Sequence, residues 1–216
     1  MSTSNDAHRA ELIAQFIAAG QTLYERGYAS GAAGNMSQLL PDGTVVATPT
    51  GSCLGKLKAD ELSLVDQQGN LLSGPKATKE VLFHLAIYRN NPEVKSVVHL
   101  HCCYCTAYAC LKDLDPNNAI RPITPYVVMR MGQVPLIPYY KPGSIHLAED
   151  IGQVAAGHKA FLMANHGMIT CGKDMTEAVN NAEELEAACQ TYFLLQGQAE
   201  RIRYLTADEI AELMPH

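Results

Sequence analysis

Residues 96–105 read SVVHLHCCYC, a branched apolar run that passes through two histidines into a crowd of thiols. Side chains at i and i+2 of a strand point to the same face. His99 and His101 therefore aim both imidazoles at one point, while Leu100 faces the core. The stretch 96–101 is thus a strand that ends in a two-armed clamp. Cys103 and Cys105 continue the alternation, and soft sulfur is a good zinc ligand. Structural cysteine sites, however, bring two pairs at short fixed spacing, and the chain has no second close pair. If a helix begins after His101, the thiols of CCYCTAYACL point in several directions and pack as small buried groups.

Working outward from this strand, TVVAT (44–48), VPLIPY (134–139) and AFLMANHG (160–167) are short, apolar and flanked by Pro or Gly, which marks them as strands. Helical patterns lie between them. Leu12, Ile13, Phe16, Ile17, Leu23 and Tyr24 repeat at helical spacing up to Gly27, and Val81, Leu82, Leu85 and Tyr88 share one face of TKEVLFHLAIYRNN (78–91). Asp174 to Glu177 and Thr206 to Glu209 have the spacing of capping boxes, and each opens a helix. Residues 111–126 lack clear periodicity. Strands and helices intermingle, so the expected architecture is a layered α/β domain with helices packed on a sheet.

The chain has 216 residues with no compositional break, which suits one domain over 1–216. Its net charge of −6 leaves no basic footprint for nucleic acid. No stretch approaches the ~18 apolar residues of a membrane span, and the N-terminus has none of the features of a secretion signal. Seven cysteines, an odd number without paired spacing, fit reduced thiols. A cytoplasmic protein is expected.

A catalytic zinc site takes three protein ligands and keeps one position open. His166 is the third candidate, because an apolar strand runs into Asn-His-Gly there and the glycine lets the chain turn sharply beside an ion. A His-x-His pair alone also suits a hydrogen-bonded strand, and the third histidine is what favours metal. Glu80, in the first turn of TKEVLFH, is the acid–base candidate, although a first-turn glutamate is also simply favourable to the helix dipole. His8, His84, His146, His158 and His216 have no partners at ligand spacing and suit surface or packing roles.

Gly31 and Gly34 frame a loop whose N–H groups can converge on an anion, with Asn35 and Ser37 as side-chain donors. TPTGSCLGK is no nucleotide phosphate loop, since Gly51 to Gly55 is one residue short and Leu57 stands where Ser or Thr is needed. Thr50, Gly51, Thr78 and Lys79 nevertheless supply hydroxyls, backbone and one positive charge. A helix starting at Thr78 would add donors for a phosphate monoester.

In order, GAAGNMS, TPTG, TKEVLFH, VVHLH and ANHG resemble the class II aldolase and adducin family along nearly the whole chain. Within that family the wording is most similar to the branch of 3-oxo-tetronate 4-phosphate decarboxylases. The resemblance implies a class II aldolase-like fold, with a central, mainly antiparallel sheet flanked by helices. It implies one Zn2+ per subunit, or Mn2+ or another divalent ion, held by His99, His101 and His166. Glu80 would be the acid–base residue and also a ligand in the empty site. A phosphate pocket would form from Gly34, Asn35, Thr50, Gly51, Thr78 and Lys79. The family's sugar-phosphate aldolases carry two serines where this chain has Thr78 and Lys79. A tyrosine that those aldolases supply across the subunit interface falls at Tyr126, and the resemblance implies a homotetramer with active sites at its interfaces. The implied reaction loses CO2 from a sugar-acid phosphate through a metal-stabilised enediolate. Retro-aldol cleavage, epimerisation and a non-catalytic, adducin-like interaction module are the alternatives.

Overall fold

The computed structural model describes residues 2–214, and His216 lies outside them. One sheet organises the chain, in the order β4-β3-β2-β1-β5-β8-β7-β6. Its strands are β1 (Asn35–Leu39), β2 (Val45–Ala47), β3 (Ser63–Val65), β4 (Leu71–Ser73), β5 (Ser96–Leu100), β6 (Leu136–Ile137), β7 (Ala160–Met163) and β8 (Gly167–Gly172). All neighbours pair antiparallel except β6 with β7, which are parallel. The helices are α1 (Ser2–Glu25), α2 (Val81–Asn90), α3 (Cys103–Ala109), α4 (Pro125–Met131), α5 (Ile145–Val154), α6 (Met175–Leu195) and α7 (Ala207–Leu213). No helix among the described residues is long and apolar enough to cross a membrane.

Both sheet faces are covered, so β5 is buried throughout. Alternation along it separates two cores. Val98 and Leu100 join Phe16 and Leu23 of α1, Tyr108 of α3 and Leu185 of α6. Val97 faces the other way, with Phe83 and Ile87 of α2, Ile151 of α5 and Phe161 of β7. Fully burying side chains of this size stabilises the fold by roughly 1.5–3 kcal/mol each. His99 follows Val97 onto the α2 side, where Phe83 meets its ring edge-on at 5.6 Å. Packing thus decides that the clamp opens toward the start of α2.

Three local expectations change. The chain stays extended up to Thr78, because Thr78 N–H donates to the Thr48 carbonyl and Ala77 bridges to Pro49. Helix α2 therefore starts at Val81, and Glu80 is its N-cap residue rather than part of its first turn. Only half of the Asp174 box forms: Asp174 accepts from Glu177 N–H, but the Glu177 carboxylate turns to Lys173 N–H and the Lys159 ammonium. The Thr206 box is complete. Strand β1 lies where a loop was expected, because its inward residues Asn35 and Ser37 are polar and leave no apolar alternation to read.

Candidate metal centre and its cleft

His99 is wholly buried, and its Nδ1 lies 2.8 Å from the Met168 carbonyl of β8. A carbonyl only accepts, so Nδ1 carries the proton and the Nε2 lone pair points away from the sheet. His101, one residue past the end of β5, brings its Nε2 to 2.9 Å from the Nε2 of His99. His166 sits at the tip of the β7–β8 hairpin, with ring centroids 5.0 Å from His99 and 4.9 Å from His101. Glu80 completes the cluster: Oε2 is 3.3 Å from His99 Nε2, and Oε1 is 3.4 Å from His166 Nε2. One ligand atom from each of the four residues lies within 4.8 Å of every other.

The hairpin tip is built differently from the sequence expectation. Asn165 takes the left-handed conformation at φ 55°, a region asparagine tolerates, so the sharp turn falls before His166. Gly167 is needed for a different reason. A Cβ there would stand 2.4 Å from the Leu100 carbonyl, so only glycine lets β8 approach β5 closely enough to bring His166 to the clamp.

The donor set fits a cation. The Nε2 atoms of His99 and His101 face each other at 2.9 Å, and the His99 Nε2 lone pair points into the space that the four ligand atoms enclose. Glu80 Oε1 is buried without a hydrogen-bond partner. Burial pushes His101 down to about 4, with His99 and His166 adding to the effect. Burial and His99 also lower His166. These rings are thus neutral near pH 7, the form that ligates. Burial pushes the Glu80 carboxyl up, whereas the N–H that Asn35 donates to Oε2 pulls it down and favours the ionised form.

A cleft of about 240 Å³ opens over this cluster, lined by Glu80, His101 and His166. Its other walls are Gly34 and Asn35, Thr50 and Gly51, and Thr78 and Lys79, so the expected anion loops and the metal cluster share one cavity. Gly34 has φ +83°, and a Cβ on it would stand 3.0 Å from the His99 carbonyl. Several donors are already engaged. The Thr50 hydroxyl donates to the Ala77 carbonyl at 2.7 Å, whereas the Thr78 hydroxyl accepts from Glu80 N–H and keeps its own proton to give. Asn35 uses one amide N–H on Glu80 Oε2 at 2.8 Å and its carbonyl oxygen on His84 Nε2 at 2.7 Å. Ser37 also faces away from the cleft, bonded to His84 and Tyr88. Tyr126 lies outside this wall, 57% exposed near the start of α4.

The second thiol-rich cluster, Cys102, Cys105 and Glu186, is accounted for by the fold. Cys102 caps α3 without a side-chain bond, and Glu186 of α6 takes the Tyr104 and Cys105 N–H groups in its place. Burial, with neighbouring thiols, holds Cys105 well above the usual thiol range, so it stays protonated. Cys103 is exposed.

His84 is the residue whose contribution was missed. It is wholly buried beneath Asn35 and Ser37, and burial pushes it down to about 3. A signal was available: Glu80, His84 and Tyr88 recur every four residues along α2, and Asn35 and Ser37 alternate on β1, so the two periodicities face each other.

The profile of the class II aldolase and adducin N-terminal domain matches residues 14–193. A 3-oxo-tetronate 4-phosphate decarboxylase of Escherichia coli O6:H1 is 59% identical over 192 residues, spanning 89% of this chain and 90% of its own. An L-fuculose phosphate aldolase of Methanococcus maripaludis is 34% identical over 184 residues, 85% of this chain and 97% of that one. The crystal structure of Escherichia coli YgbL superposes with a TM-score of 0.92 at 54% identity, covering 95% of this chain and 98% of that one. The chain belongs to the class II aldolase and adducin family.

Proposed function

We propose that this protein is a metal-dependent carboxy-lyase that converts 3-oxo-tetronate 4-phosphate to dihydroxyacetone phosphate and CO2. One observation carries the reading: three imidazoles and a buried carboxylate converge beside a cleft whose walls include Gly34, Thr50, Gly51, Thr78 and Lys79, in a chain 59% identical to a decarboxylase of that substrate.

His99, His101 and His166 would hold the ion, with zinc favoured by three imidazoles. When bound, it supplies a Lewis acid that offsets the negative charge developing on the substrate's ketone oxygen. The chain's own residues do the rest. Lys79, the Thr78 hydroxyl and the backbone at Gly34 and Gly51 seat the phosphate, with the free Asn35 N–H within the same wall. Cleavage of the C1–C2 bond leaves its electron pair on C2, delocalised toward the ketone oxygen as an enediolate. One proton must then reach C2, and Glu80 would deliver it. Because Glu80 is ionised in the resting site, it takes up a proton from solvent once per turnover, matching the one proton the reaction consumes.

Tyr126 and Met129 stand exposed one helical turn apart on α4, 57% and 59% accessible. This suits a homotetramer in which Tyr126 reaches a neighbouring cleft. All seven cysteines are free, which suits a reducing cytoplasm. Incubating purified protein with 3-oxo-tetronate 4-phosphate tests the proposal. Release of CO2 with triose phosphate supports it, and release of an aldehyde from a longer sugar phosphate in its place would return the retro-aldolase alternative.

A further inference from the structure

Behind Glu80 runs an unbroken line of buried hydrogen bonds that starts at Asn35 in the cleft wall and leads away from the cleft. Asn35 Nδ2 lies 2.8 Å from Glu80 Oε2, and Asn35 Oδ1 lies 2.7 Å from His84 Nε2. His84 Nδ1 lies 2.8 Å from Ser37 Oγ, which lies 2.7 Å from the Tyr88 hydroxyl. The four residues behind Glu80 are each at most 7% exposed.

The direction of every bond follows from chemistry. The Asn35 amide faces Glu80 Oε2 with its NH2 and His84 with its carbonyl oxygen. That carbonyl needs a donor, so His84 carries its proton on Nε2. Burial keeps the ring neutral, so Nδ1 is left as an acceptor and the Ser37 hydroxyl donates to it. Ser37 then accepts from Tyr88. A reversal anywhere along the line would turn the Asn35 carbonyl toward Glu80, oxygen against oxygen.

We propose that His84, Ser37 and Tyr88 are positioning residues that act through Asn35, fixing its amide so that one N–H always points at Glu80 Oε2. The register supports this, since Asn35 pairs directly with His99 across β1 and β5, placing the amide beside the clamp. A buried chain of this kind strengthens each member through its neighbours and holds a single orientation. The kinetic part of the proposal rests on Glu80 acting in the reaction proposed above, whereas the geometric part does not.

The test has two arms. In metal-free, 15N-labelled protein, the His84 ring signals are expected to show a proton on Nε2 and a bare Nδ1. A proton on Nδ1 overturns the proposal whatever the substrate proves to be. Ser37→Ala, which removes the donor to Nδ1, is expected to release the ring into a mixture of tautomers, and an unchanged spectrum would count against the chain. In metal-loaded protein, His84→Leu is expected to lower kcat for CO2 release about 10–100-fold, the usual cost of losing a supporting partner. KM should stay within about threefold, because the phosphate loops are untouched. His84→Gln keeps an N–H donor where Nε2 stood and should recover most of that loss. Equal losses in the two variants, following only the folded fraction, indicate a structural role and overturn the proposal. Should His84→Leu fail to fold, the nearly isosteric Tyr88→Phe takes its place, with a lower kcat at unchanged metal content expected and an unchanged kcat contradicting it. Wild-type protein inactive on the 3-oxo acid phosphate defeats the decarboxylase reading alone, and the tautomer arm still decides the chain.

Discussion

The Nε2 atoms of His99 and His101 stand 2.9 Å apart, while the other ring nitrogen of His99 is held by the Met168 carbonyl at 2.8 Å. The second contact sets the His99 tautomer, which leaves the Nε2 lone pair facing the other ligand atoms of the cluster. The protein is therefore expected to take up one zinc per chain. His99→Ala and His166→Ala should each weaken zinc by more than the roughly 10–100-fold that loss of an outer partner costs. Competition against a chelator of known affinity measures this, and equal affinity in His166→Ala would remove the hairpin tip from the site.

Glu80→Gln keeps the shape of the side chain and one oxygen, so metal uptake is expected to persist. Turnover should fall by a factor on the order of 10²–10⁴ if Glu80 transfers the proton. Steady-state kinetics with a parallel metal assay separates the two effects, and undiminished kcat would exclude Glu80 from proton transfer.

Two glycines in the cleft wall make a paired prediction. Gly34 and Gly51 both have left-handed backbones, at φ +83° and +76°, but a Cβ on Gly51 meets nothing within 4 Å, whereas one on Gly34 meets the His99 carbonyl at 3.0 Å. Gly51→Ala is expected to cost about 1–2 kcal/mol from backbone strain alone. Gly34→Ala should cost distinctly more and also displace the strand that carries the clamp. Urea midpoints test the order, and equal costs would contradict the close approach.

The fold was readable where apolar periodicity was strong, and silent where buried polar groups took its place. β5 and α6 announced themselves through Val97, Val98 and Leu100, and through the capping-box spacing of Asp174 and Glu177. β1 did not, because Asn35 and Ser37 spend their inward positions on hydrogen bonds. The site was legible as residue types at suggestive spacing, and the structure adds how they are held: Glu80 at an N-cap because Thr78 is tied to Thr48, and His166 raised by a left-handed Asn165. Residues 111–126 stayed unreadable because Asn118 and Ala119 are anchored by single bonds to Val134 rather than by any repeating pattern.

His84 also carries a pH dependence. Its ordinary value of 6.5 falls to about 3 in the folded chain through burial, so the unfolded chain binds the extra proton between those values. Stability from this group is full above pH 6.5 and is lost as pH falls toward 3. Between pH 7.5 and 5 the loss from His84 amounts to about 2 kcal/mol, at 1.36 kcal/mol per unit. Urea unfolding of metal-free wild type and His84→Gln should differ in their acid sensitivity by about that amount. Identical pH profiles would mean that the ring is solvated.

The most direct test of the metal-dependent carboxy-lyase is one assay run twice. Purified protein is given 3-oxo-tetronate 4-phosphate before and after exhaustive chelation, with CO2 and dihydroxyacetone phosphate followed together. Stoichiometric formation of both products that stops on chelation and returns with added zinc is the predicted result. Full activity in the stripped protein, with no metal detectable, would contradict it.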